Sequence, residues 1–275
     1  DAASAAIYGS RAANGVVLIE TKRGSENKQV ITLSTALGSQ LKSNEMKLMS
    51  PYQFIKYQTE LYPNHPTTLA YFTEGKTLEN YRNVKGIDWG DKVVGKGRVN
   101  DYSFAIRGGN KRTKYSISAG LFDQDGIVVN TGFRRYCGRI TLDHNISAKL
   151  NMGVTVNYSN TNMQGQTINT LTGPTDATNY TLYRTWGYRP IGPNMDEDIL
   201  VEDAHDGAIG SGSLRFNPVV DLQNQHQLNF ANTFNGNGYL SFSPIKDLTF
   251  RSSVGLQNIN RELEQFFNSK TSQGS

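Results

Sequence analysis

Through much of this chain, apolar residues fall at every second position. That is the period of a strand with its two faces in different surroundings. Ile31, Leu33 and Leu37 share one parity against Thr32, Ser34 and Gly38, and Tyr102, Phe104 and Ile106 share one against Ser103, Ala105 and Arg107. Tyr115, Ile117, Ala119 and Leu121 oppose Lys114, Ser116, Ser118 and Gly120. Tyr136, Ile140 and Leu142 oppose Arg135, Cys137, Arg139, Thr141 and Asp143. Leu150, Met152, Val154, Val156 and Tyr158 oppose Asn151, Gly153, Thr155, Asn157 and Ser159. Two more runs, through Leu228, Phe230, Phe234, Leu240 and Phe242 and then Leu248, Phe250, Val254 and Leu256, bring the expected strands to seven.

The links between these runs are unequal. Gly108–Thr113, Asn145–Lys149 and Pro244–Asp247 are tight, residues 123–132 form a medium link, and residues 41–98 and 161–225 form long ones. Short and long links in alternation, with strands at or above the ~9–11 residues that cross a bilayer at a tilt, are the pattern of a transmembrane β-barrel. The competing architecture is a soluble antiparallel sandwich. Its strands are typically about 5–6 residues, and it rarely carries a loop of over ~15 residues. The expected fold class is therefore all-β, a partial antiparallel transmembrane barrel. One helix is predicted inside the first long link: Ser50 as cap, Pro51 at the first helical position, and Phe54, Tyr57, Gln58 and Leu61 at helical spacing. It is expected to pack on the tyrosines of its own loop.

Composition agrees with strands rather than helices as the membrane-crossing elements. Mean hydropathy is −0.51, and no run approaches the ~20 apolar residues a spanning helix needs. A barrel escapes that test because its interior residues are polar; 14 Tyr, 12 Phe and 27 Gly suit one. A single cysteine, Cys137, leaves no intrachain disulfide. The net charge of +4 comes from scattered cations, with a small cluster at Arg107, Lys111, Arg112 and Lys114. No RRM, zinc or helix-turn-helix pattern accompanies them, which argues against nucleic acid as a partner. The chain starts at Asp1 without Met or a signal peptide and trails off in polar residues 268–275, as expected of a piece of a longer protein.

Nothing in the residues assembles into a catalyst, a metal site or a cofactor site. His65, His144, His205 and His226 form no HExxH or similarly spaced set, and Ser10 and Ser39 beside glycine make no GxSxG elbow. Asp196, Glu197, Asp198, Glu202, Asp203 and Asp206 lack the ligand spacing of an EF-hand and read as a solvated acidic loop, with Ca²⁺ as the alternative. Trp89 and Trp186 are candidates for stacking on sugar rings, against the plainer role of packing within their loops.

The first 24 residues differ in kind. Asp1 to Gly9 reads as a capped, Ala-rich helical turn, Asn14-Gly15 as a tight turn, Val16 to Ile19 as a strand buried on both faces, and Lys22-Arg23-Gly24 as its end. This string, DAASAAIYGSRAANGVVLIETKRG, closely resembles the end of the plug domain in TonB-dependent outer-membrane receptors. It is most similar to the SusC/RagA group of Bacteroidetes. Asp88-Trp89-Gly90-Asp91, Leu121-Phe122-Asp123-Gln124-Asp125-Gly126-Ile127, Phe133-Arg134-Arg135-Tyr136, Leu142-Asp143-His144 and Asn217-Pro218-Val219 follow that group's early-barrel pattern in order. Glu20 stands where the group more often has Thr, and residues 81–89 are longer than its usual approach to Asp-Trp.

The resemblance implies residues 1–28 as the end of a plug, 29–275 as the start of a barrel of roughly 22 strands, and a Gram-negative outer-membrane location. It also implies energy-coupled import, with TonB–ExbB–ExbD pulling on the plug, a SusD-like surface lipoprotein as lid, outer-membrane lipid around the wall, and an oligosaccharide or peptide as substrate. Arg135, Arg139, Thr141, Asp143, Asn151, Thr155 and Asn157 then face the lumen, and Tyr102, Tyr115, Tyr136 and Tyr158 suit an interfacial girdle. Arg11 is the candidate plug–barrel contact, either an ion pair that force breaks or an ordinary surface arginine. The alternatives left open are a receptor for siderophores or cobalamin, and a soluble β-rich surface binding protein or adhesin.

Overall fold

The computed structural model describes residues 9, 15, 17, 21–26, 29–43, 46–165, 181–192, 217–271 and 274. All seven expected strands form: β1 (Val30–Gln40), β2 (Gly97–Gly109), β3 (Thr113–Asp125), β4 (Gly132–Asn145), β5 (Leu150–Gln164), β6 (Gln225–Ile245) and β7 (Leu248–Phe267). They make one antiparallel sheet in chain order, open at β1 and β7. Register runs without a slip from β1 to β6, and the one irregularity lies between Phe242 and Ile245 at the β6–β7 turn.

An unbroken register carries the parity of each strand into the next. Ile31, Ile106, Ile117, Ile140, Val156, Gly236 and Leu256 stand opposite one another in a single row. One residue along lies the row Thr32, Ala105, Ser118, Arg139, Asn157, Asn235 and Gln257, on the other face. A slip of one residue in any pair would exchange the two. Exposure is the reverse of a soluble sheet's: Ile140 is 54% and Leu256 69% exposed, while Thr141 on the polar face is 3% exposed. Among the described residues no second sheet covers the apolar face, which agrees with the expected partial barrel and not with the competing sandwich.

The apolar face has a limited height. In β5 it runs through Leu150, Met152, Val154, Val156 and Tyr158, and then becomes Asn160 and Asn162. At ~3.3 Å per residue and a tilt of ~40° those five positions span about 20 Å, close to the band of a membrane barrel. The boundary is hydrogen-bonded: the Tyr158 hydroxyl and the Asn160 amide both donate to Asn232 Oδ1, at 3.1 and 2.7 Å. Strands β6 and β7 reach 21 and 20 residues because their ladder continues past the band. There the apolar parity of β7 gives way to Asn258, Asn260, Glu262 and Glu264.

Tight turns close one edge of the sheet. Asn110 Oδ1 accepts from the backbone N–H of Arg112 and Thr113, both at 2.8 Å, and Asp247 takes a positive φ of 73°. The opposite edge carries the long links. The first holds α1 (Pro51–Leu61), α2 (Pro66–Ala70) and α3 (Trp89–Val93); the second holds α4 (Thr181–Gly187) and α5 (Pro218–Gln223). Helix α1 is the predicted one, with Ser50 and Gln53 forming a reciprocal capping box. As expected it lies on the loop's tyrosines, Ile55 sharing a buried cluster with Tyr71 and Tyr81. In the strand expected at 16–19, only Val17 is among the described residues; it lies outside any strand and is 87% exposed. A doubly buried strand needs neighbours on both sides, and the described sheet begins at Val30.

Placing a cation on the apolar face should be costly where the other face already tolerates one. Ile140→Arg in the full-length protein is expected to destabilise the folded barrel by about 2–4 kcal/mol, read as a shifted urea midpoint in lipid. An unchanged midpoint would mean that this face does not meet hydrocarbon.

Candidate functional site

A short segment of chain lies across the polar face of the sheet. It comprises Thr21 to Glu26, and its polar side chains meet partners on β3 and β4. Arg139 donates to Thr21 Oγ1 at 2.7 Å, Arg23 donates to Asp143 Oδ1 at 3.3 Å, and Lys114 Nζ stands 3.1 Å from Glu26 Oε1. Between them Gly24 passes so close to β3 that a Cβ there would stand 2.5 Å from the backbone of Tyr115. Only glycine fits this approach.

Asp143 is held from a second side. The Tyr239 hydroxyl on β6 donates to Asp143 Oδ1 at 2.9 Å, reaching over the intervening strand β5. It crosses at Gly153, where an added Cβ would collide with the tyrosine ring and stand 2.7 Å from Asp143 Oδ1. The Arg251 guanidinium of β7 stacks on the same ring, 4.1 Å from its centroid. Arg251, Tyr239, Asp143 and Arg23 thus form a bar across four strands that ends on the crossing segment. A cavity of about 230 Å³ opens beside it, lined by Arg23, Thr155, Asn237, Tyr239, Arg251 and Ser253.

The magnitudes make this seam detachable. Arg23 and Asp143 side chains are 57% and 21% exposed, and an ion pair so wetted contributes about 0–1 kcal/mol. The Arg139–Thr21 hydrogen bond, with its charged donor, adds about 1.5–3 kcal/mol, and the wetted Lys114–Glu26 pair about 0–1 kcal/mol. The sum is a few kcal/mol, against a sheet whose every strand is paired along its length.

The sequence candidates divide by position. Arg139, Thr141 and Asp143 lie at the seam, with Thr141 buried and 3.4 Å from Arg139 Nε. Thr155 lines the adjacent cavity. Asn157 pairs with Arg139 across the strands on the same face. Arg135 lies nearer the long links with its guanidinium 5.8 Å from the Phe122 ring, and Asn151 lies nearer the short turns. Arg11 and the acidic run 196–206 lie outside the described residues. Thr21, Arg23, Glu26, Tyr239 and Arg251 were not among the candidates. The polar period of β6 and β7 marked the last two as facing the interior, but no local signal joins Arg23 to a residue 120 positions away.

The loop edge carries a second feature. Its two long links are tied together: Trp89 Nε1 donates to the Arg189 carbonyl at 2.8 Å, Ile87 N–H to the Pro190 carbonyl at 2.8 Å and the Tyr71 hydroxyl to the Ile191 carbonyl at 3.0 Å. Trp89 is 1% exposed and meets Tyr188 edge-on at 5.0 Å, packing within the loops. Trp186 is 37% exposed and lines a cavity of about 410 Å³ between the links. Arg184 pairs with the fully buried Asp221, which also accepts from Gln225 Nε2 at 2.8 Å. On the loop surface the Arg82 guanidinium, hydrogen-bonded to Glu79, holds that carboxyl below its usual range. Among the described residues no group of His, Cys, Asp and Glu is placed to hold a metal ion.

Two substitutions probe the bar. Tyr239→Phe removes one hydrogen bond to a carboxylate, worth about 1.5 kcal/mol, so residues 21–26 should exchange amide hydrogens roughly tenfold faster in the full-length protein. Gly153→Val, which displaces the ring, should do the same. Unaltered exchange in both would show that the seam does not depend on Tyr239.

Comparison with known proteins follows the geometry. No family model matches the chain. It is 30% identical to TonB-dependent receptor P26 of Formosa agariphila over 98% of this chain and 26% of the relative. It is 27% identical to TonB-dependent receptor P3 of the same organism, over 97% of this chain and 24% of the relative. It is 33% identical to TonB-dependent receptor SusC of Bacteroides thetaiotaomicron, over 56% of this chain and 15% of that protein. In fold it superposes on the RagAB peptide importer in its closed-closed state with a TM-score of 0.68 at 21% identity, covering 94% of this chain and 31% of that one. The chain therefore spans about a quarter of the length of the curated relatives P3 and P26.

Proposed function

Because the chain belongs to the TonB-dependent receptors of the SusC/RagA type, outer-membrane proteins of Gram-negative bacteria, we propose that the protein it comes from imports a nutrient by energy-coupled opening of its plug. The observation that carries this reading is the reversed sheet: apolar side chains face outward and polar ones hold residues 21–26. In this reading residues 1–28 end the plug and 29–275 begin the barrel wall. The polar parity, including Arg135, Arg139, Asn151 and Asn157, lines the lumen. Tyr102, Tyr136 and Tyr158 stand where the apolar band meets polar surface.

The seam then has a mechanical meaning. Pulling by TonB–ExbB–ExbD on the plug meets separate contacts of about 0–3 kcal/mol each at Arg23, Thr21 and Glu26, so the segment can be drawn from the wall one contact at a time. The strands remain, since extracting one would strand a row of backbone groups in hydrocarbon. An oligosaccharide or a peptide is the cargo, and a SusD-like lipoprotein at the loop edge is the lid.

The test uses the full-length gene in its own host. Deletion should abolish growth on the nutrient that induces it, and loss of TonB should do the same. The purified receptor should stay with membranes until detergent is added and should carry a lipoprotein. Uptake that persists without TonB would sink the import mechanism, and a bound metal chelate with no lipoprotein would favour a siderophore receptor.

A further inference from the structure

We propose that the cavity between the two long loops takes the apolar, carboxylate-bearing end of a peptide. The cavity measures about 410 Å³, within the ~300–1,000 Å³ of ligand sites. One wall comes from the first loop, with Leu48, Met49 and Tyr57; the other comes from the second, with Trp186 and Pro190. Trp89 forms its floor and is fixed there by its bond to the Arg189 carbonyl. The hydrogen bonds from Tyr71, Ile87 and Trp89 to the carbonyls of residues 189–191 hold the two walls at a set distance, so the space exists before a ligand arrives.

The lining chooses between the two cargo classes. A sugar ring presents a hydroxyl at nearly every carbon, and each one buried without a partner costs free energy. The indole N–H at the floor is already donated, and the walls are chiefly hydrocarbon and aromatic ring. An aromatic or branched aliphatic side chain leaves no such debt and fills a cavity of this size. The polar residues of its lining are Lys47, which is exposed, Gln58 and Arg189. Positive charge beside an apolar hollow, from Lys47 and Arg189, matches a side chain with a carboxylate next to it, as at a peptide C-terminus.

This inference rests on the import reading but is tested apart from it, since binding to the purified receptor needs no energy coupling. Full-length receptor in detergent is titrated calorimetrically with Gly-Gly-Phe, its C-terminal amide, and maltotriose. Gly-Gly-Phe should bind, the amide about fivefold more weakly, and maltotriose not measurably. Lys47→Gln, a surface change that leaves folding intact, should narrow the difference between acid and amide. Trp186→Ala should weaken the peptide about tenfold, with Trp186→Phe restoring most of it. Equal binding of acid and amide, indifference to both Lys47→Gln and Trp186→Ala, or maltotriose binding as tightly as the peptide would each overturn the proposal. Peptide binding that survives while TonB-dependent uptake fails would overturn the import reading instead.

Discussion

A backbone that enters hydrocarbon has no water to fall back on, so each N–H and C=O must be paired on a neighbouring strand. In this chain the unbroken antiparallel ladder from β1 to β6 meets that demand, and the rest of the architecture follows from its register. Because no pair slips, alternation within a strand becomes a continuous row across the sheet. The row of Ile31, Ile106, Ile117 and Ile140 faces lipid for the same reason that Ser118, Arg139 and Asn157 face away from it. The same constraint acts on the outer strands. Among the described residues the outer hydrogen-bonding rows of β1 and β7 meet no further strand, as in a barrel wall that is only part of a longer one.

The polar face meets a different demand, that of holding residues 21–26 against the sheet. Burying a strong ion pair would be a poor solution, since breaking one leaves an uncompensated charge. Here the contacts at Thr21, Arg23 and Glu26 are partly wetted, so water can replace each partner as it leaves. Specificity comes instead from shape. Gly24 lies against the backbone of Tyr115, and Tyr239 lies flat over Gly153 to fix Asp143 from the wall side. Two glycines, one on each partner, therefore set where the segment can sit.

Alternation was enough to place all seven strands, because a strand wetted by lipid on one face and by a polar interior on the other writes its period directly into the sequence. It underestimated β6 and β7, whose ladder continues after the apolar parity has stopped at Leu256. Ser50, Pro51 and Gln53 made α1 legible since a capping box is a local event. The seam was not legible. Arg11 lies outside the described residues, and the described contacts are made by Arg23 and Thr21 with residues about 120 positions away. The partner that packs on Trp89 was hidden for the same reason: Tyr188 is a residue of the other loop.

Loops of this length raise a last question of economy, for segments outside the membrane could as well be disordered. These ones bury Ile55, Tyr71, Tyr81 and Trp89 almost completely, and they seal an Arg184–Asp221 pair inside. A buried pair of that kind is weak evidence for stability, since well-packed hydrocarbon would do as well or better. Its better-attested use is to permit one arrangement and reject its neighbours. Asp221 accepts from both Arg184 and Gln225, which join the second loop to the start of β6. The loops are thereby indexed to the barrel rim, and a cavity between them keeps its shape without a ligand to form it. Order of that kind, bought before binding, reduces what a ligand must later give up in entropy.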